Sequence, residues 1–138
     1  MEFFAKPLSA MPEYEYHDSS EPETHGRRDD RAILRDIIRA IDRIQTETVS
    51  GRDTFLADPK SQVWVPYHLQ IVGEACRGLG ESFRSRFSDP VWTKSICLRN
   101  ILIHHYFDID HELVRQVVEA DLPSFRRLVE SALEGCNQ

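Results

Sequence analysis

Between Asp29 and Thr48 the apolar residues Ile33, Leu34, Ile37, Ile38, Ile41 and Ile44 recur at steps of three and four, the signature of one buried stripe on an α-helix. The same period returns at Val65, Leu69, Val72, Cys76, Leu79 and Phe83. No strand-like alternation of useful length interrupts this pattern, so the chain must bury helix against helix. The expected fold is an all-α antiparallel bundle of four to five helices with short connections.

Aspartates punctuate the helices. Asp58-Pro59 and Asp89-Pro90 each pair an N-cap with a first-turn proline, and Asp110 precedes another helical run. These signals predict a second helix from Pro59 to about Arg86, a third containing "VWTKSICLRNILIHHYF", a fourth over "HELVRQVVEA", and a last segment restarting at Asp121 or Leu122 with Pro123. "TFLAD" is expected to add a short helical turn. Pro66 falls inside the second helix, where its ring removes a donor and crowds the carbonyl of Gln62, so a kink is expected there.

At 138 residues the chain is the size of one domain and can bury a core without metal or disulfide support. Its three cysteines, Cys76, Cys97 and Cys136, are odd in number and widely spaced, and read as reduced thiols. With no long apolar run and no secretory signal pattern, the sequence suggests a cytoplasmic protein. The net charge of −6 is concentrated at one end: residues 1–26 carry six acids against Lys6. That segment, with three prolines and few aliphatics, reads as a flexible acidic tail, the alternative being that Phe3, Phe4, Tyr14 and Tyr16 dock on the body or on a partner. Residues 27–138 form the helical domain and are nearly neutral, with 16 basic and 17 acidic groups. Bulk charge therefore neither demands nor excludes RNA. Arg31, Arg35, Arg39 and Arg43 make a row on the first helix, read as a solvated face paired with Asp36 and Asp42 or, alternatively, as an RNA-backbone contact.

The stretch "RNILIHHY", residues 99–106, concentrates groups able to act on a phosphodiester. A neutral imidazole can take a proton from a ribose 2′-OH and an imidazolium can return one to the leaving oxygen. A guanidinium fork suits charge gathering on the phosphoryl oxygens. On one regular helix, however, Arg99 and His104 point about 140° apart, while Asn100 and His104 lie within about 40°. Asn100 can therefore fix the His104 ring. Either the helix ends near His104 and the arginine arm wraps round, or a second copy supplies the missing half. Two other readings stay open: incidental surface histidines, and a metal held by His104 and Asp108 with His105 or His111 nearby.

"RNILIHHYFDID" resembles the signature of the HepT-like proteins of the HEPN superfamily, an Arg, a polar residue, a short aliphatic spacer and a His. The order of "RDDRAILRDIIRAIDRI", "FLADPKSQ", "LQIVGEACRGL", a Trp three residues before "SICLRN", and "HELVRQVVEADLP" is similar too, so that the likeness covers about residues 27–133. The resemblance implies a homodimeric, metal-independent endoribonuclease without cofactor that leaves 2′,3′-cyclic phosphate ends on an RNA such as tRNA or mRNA. It further implies the toxin of a toxin–antitoxin pair, silenced when an MntA-like nucleotidyltransferase transfers AMP to a tyrosine. The positions that match are Arg99 and His104 as the catalytic pair, Asn100 as the polar neighbour and Tyr106 as the AMP acceptor. Glu74 in "GEA" matches a recurrent family position with a packing, His-orienting or catalytic role. The alternative function is a non-catalytic subunit that binds the nucleotidyltransferase. Three differences from the family pattern are Pro66, the extra acidic tail, and "SICLRN", which puts Cys97 where a glycine would permit close helix approach.

Overall fold

The computed structural model describes residues 3–5, 29–49 and 52–136. Within them the chain is helical, with α1 (Asp30–Glu47), α2 (Arg52–Ala57), α3 (Pro59–Gly78), α4 (Glu81–Arg86), α5 (Val91–His104), α6 (His111–Gln116) and α7 (Leu122–Cys136). A π-helical turn, Val117–Asp121, links α6 to α7. No strand occurs among the described residues, as the apolar period requires.

The aspartates cap as expected. Asp29 accepts from the Arg31 N–H, Asp58 from Lys60 N–H, and Asp110 from both Glu112 and Leu113 N–H groups. Asp89 accepts from Val91 N–H at 2.9 Å, securing the first turn of α5. Each carboxylate thus satisfies a donor that has no partner inside its own helix.

Helix α3 lies between α1 and α5, and α1 also packs on α7. Their facing sides supply the core: Ile37, Ile41 and Ile44 from α1, Val65, Leu69 and Val72 from α3, Ile96, Cys97 and Leu98 from α5, and Phe125 and Val129 from α7 are all buried. At the start of α5 an aromatic cluster adds rings in edge contact, with Trp92 at 5.4 Å from Phe83 and 5.9 Å from Phe125. The indole N–H donates to the Phe87 carbonyl at 2.8 Å, so Trp92 is buried without an orphaned donor.

Several boundaries differ from the sequence expectation. The second predicted helix is two: α3 stops at Gly78 and α4 restarts after Gly80, whose amide donates to Asp30 at 3.0 Å. Pro66 lies within α3, which runs from Pro59 to Gly78. The third helix ends at His104, not Phe107, with His105 N–H returning to the Ile101 carbonyl. The fourth and fifth segments are joined. Leu122 N–H reaches the Val117 carbonyl five residues back, and this widened turn accommodates Pro123, which has no N–H to give to a regular ladder.

The arginine row is divided. Arg39 pairs with Asp36 at 3.0 Å and Arg31 with Asp29, but Asp42 is taken by Arg126 of α7 rather than by the row. Of the N-terminal aromatics, Phe3 is buried and Phe4 stands edge-on to Phe125 at 5.7 Å, within a 3-10 turn, Phe3–Ala5. The buried Lys94 ammonium donates to the Phe4 carbonyl. Tyr14, Tyr16 and the rest of the acidic segment lie outside the described residues.

Candidate active site

The site is organised by the closest approach of α3 to α5. A Cβ at Gly73 would lie 2.7 Å from the Ser95 carbonyl oxygen and would run into the Arg99 side-chain stem. Only a residue without a side chain allows the two helices to meet there. Cys97 stands where the family pattern has a glycine that would permit close helix approach. The structure puts such a glycine across the interface, on α3, where Gly73 buries against α5 while Cys97 turns into the core.

That contact fixes the base of Arg99 and leaves its head accessible. Arg99 Nη1 donates to Asn100 Oδ1 at 2.8 Å, and Nε pairs with Glu74 Oε2 at 3.1 Å. Glu74 also accepts from Arg77 at 3.3 Å, so one carboxylate tethers two guanidinium groups. The Arg99 side chain is 24% exposed. Among the described residues no contact engages its Nη2, and a phosphoryl oxygen arriving from solvent finds that edge of the fork open.

His104 is the last residue of α5 and is exposed. The chain then turns: Asp108 N–H returns to the His105 carbonyl at 3.0 Å, and a protonated His105 would face the Asp108 carboxylate at 3.9 Å. Tyr106 and Phe107 sit on this turn, 67% and 97% exposed, with rings 5.0 Å apart. The structure therefore joins Arg99, Asn100 and Glu74 directly. It sets His104 and Tyr106 beyond them, at the end of the helix and on its closing turn. The Asn100 amide oxygen accepts from the guanidinium.

For the reading in which His104 and Asp108 share a metal, a third ligand is required, and no group of three or more His, Cys, Asp or Glu with suitable geometry occurs among the described residues. None of the described helices is long and apolar enough to cross a membrane. Cys76, deep between α3 and its neighbours, has its thiol pushed up to about 12 by burial and is a packing residue.

The residue that sequence reasoning passed over is Gly73. A glycine inside an otherwise unbroken apolar helix was the available signal, but its meaning depends on Ser95 and Arg99 lying opposite.

Comparison with known proteins agrees with the motif order. The family model "Ribonuclease HepT-like" matches residues 35–132. Over 75% of this chain and 96% of its own length, the Methanocaldococcus jannaschii protein named "Putative RNase MJ1380" is 36% identical. "Putative RNase MJ0127" of the same organism is 33% identical over 78% of this chain and 90% of its own. The Thermococcus cleftensis protein named "Probable ribonuclease HepT" is 32% identical over 72% and 92%. No solved structure matches the chain.

Proposed function

The chain belongs to the family of HepT-like ribonucleases, and on that premise we propose that it is a metal-independent endoribonuclease working as a homodimer in the cytoplasm. One observation carries the proposal: a partly open arginine fork, Arg99, braced by Asn100 and Glu74 on the helix that ends in exposed His104.

In this reading an imidazole of His104 removes the proton of a ribose 2′-OH. The 2′-oxygen attacks the adjacent phosphorus as the P–O5′ bond breaks, and an imidazolium gives its proton to the departing 5′-oxygen. The products are a 2′,3′-cyclic phosphate and a 5′-hydroxyl, and no water is consumed. Arg99 holds the phosphoryl oxygens as charge builds on them. Because Arg99 and His104 diverge by about 140° on one helix, two copies meeting at a twofold would let the arginine of one serve the histidine of the other. Asn100 and Glu74 are positioning residues for the fork.

The same reading makes the protein the toxin of a toxin–antitoxin pair. A nucleotidyltransferase of the MntA-like kind would move AMP onto the Tyr106 hydroxyl, whose ring is 67% exposed and so within reach of a partner enzyme. The added phosphate would be an anion on the turn two residues from His104, where it would repel and obstruct an incoming RNA strand. The second reading, a non-catalytic subunit that binds the nucleotidyltransferase, draws on the Glu74 carboxylate already occupying Arg99 Nε.

Incubating the purified chain with total RNA separates the two. The nuclease yields cyclic-phosphate ends that disappear with His104→Ala and with Arg99→Ala. No cleavage at any protein concentration leaves the binding subunit. Intact mass after co-expression with a neighbouring nucleotidyltransferase gene tests the regulation: additions of whole AMP units that vanish with Tyr106→Phe are expected.

A further inference from the structure

Beside the turn that follows His104 a cleft of about 690 Å³ opens between the first half of α3 and residues 106–111. Tyr67, Tyr106 and Phe107 line it, together with Pro66, Gln70 and His111. Apart from His111, none of its lining residues can carry a charge at neutral pH. This is no place for a phosphate, yet it adjoins the residue that would cut the chain next to one.

We infer that this cleft holds one unstacked nucleobase of the RNA strand whose phosphate lies at Arg99. The inference rests on the ribonuclease reading and adds to it a source of sequence preference. Tyr67, Tyr106 and Phe107 are 59%, 67% and 97% exposed, three large rings left in water around one concavity. Flat aromatic surfaces of this kind stack a base that has left its neighbours. The polar groups fit as well. The Gln70 amide lines the cleft, and among the described residues the His111 Nδ1 is buried without a hydrogen-bond partner. An amide presents a donor beside an acceptor, which matches the edge of a base.

An apolar protein surface is the competing occupant. It would cover the rings but strip water from the Gln70 amide without offering it a partner, which costs free energy that a base edge recovers. Placement also favours RNA: Tyr106 is two residues from His104, so their Cα atoms are no more than about 7 Å apart.

The test uses the full-length His104→Ala protein, which binds RNA without cutting it, and a short single-stranded RNA with copies made abasic at one position at a time. Loss of one particular base is expected to weaken binding about ten-fold, and Phe107→Ala or Tyr67→Ala to erase that difference. Both side chains are exposed, so both variants are expected to fold, and circular dichroism verifies this. Equal weakening at every abasic position overturns the inference, as does discrimination that survives both replacements. So does a change of the protein from dimer to monomer on sizing when Phe107 or Tyr67 is replaced, since the cleft then belongs to the subunit contact. Cleavage of total RNA by the unmutated protein is followed in parallel. His104-dependent cutting without base discrimination leaves the nuclease and removes the pocket; discrimination without cutting does the reverse; absence of RNA binding removes both.

Discussion

The two ends of α5 treat aromatic rings in opposite ways. At its start Trp92 is buried against Phe83 and Phe125, its indole N–H satisfied by a carbonyl. About 20 Å along the axis, the 14-residue helix gives way to Tyr106 and Phe107, which face water. The same residue class thus serves packing at one end and stays exposed to solvent at the other. What separates them is whether neighbouring helices close over the rings. Substitutions at the two ends should therefore divide cleanly between stability and activity.

The sharpest form of that division is His104→Ala, which should lower RNA cleavage by roughly 100- to 10,000-fold while moving the urea midpoint by less than about 0.5 kcal/mol in free energy. A large loss of stability would break the comparison. At the opposite end Trp92→Ala should cost about 3–5 kcal/mol in a denaturant titration, because a buried ring and its partners are lost together.

Gly73→Ala tests the joint between the two regimes. Its new methyl has Ser95 O and the stem of Arg99 in its way, and about 1–3 kcal/mol of destabilisation is expected, with cleavage falling further than stability explains. Phe107→Ala should shift stability by no more than about 0.5 kcal/mol.

The smallest effect concerns thiols. In the native protein at pH 8, alkylation followed by mass spectrometry should add one group, at the partly exposed Cys136, and spare the buried Cys76 and Cys97. Raising the pH should then weaken the fold. The Cys76 thiol titrates near 9.0 when unfolded and is pushed up to about 12 by burial, so the native state holds the proton longer. Stability from this group is complete below pH 9 and lost between there and about 12.

Much of the architecture was readable before any coordinates. The three-and-four spacing of isoleucines fixed α1, and the aspartates announced the starts of α3, α5 and α6, because both signals act within one turn of chain. Gly80 also marked a break, but the apolar period running through Leu79 to Phe83 concealed it. At Pro123 the reverse happened: a proline that suggested a restart is carried by a widened turn. The motif named Arg99 and His104, but the surroundings of Arg99 depend on a different helix. Glu74 and Gly73 meet Arg99 only through the crossing of α3 over α5, and no local spacing encodes that crossing.

The π-helical turn at Val117–Asp121 has a consequence for how this chain tolerates length changes. One residue more than the regular ladder needs is stored there, and it turns everything downstream by about 100°. Phe125 and Val129 owe their inward aim to that surplus position. Excising a single residue from 117–121 would leave a smoother rod with its greasy side swung toward solvent, so a deletion that tidies the helix is expected to ruin the protein.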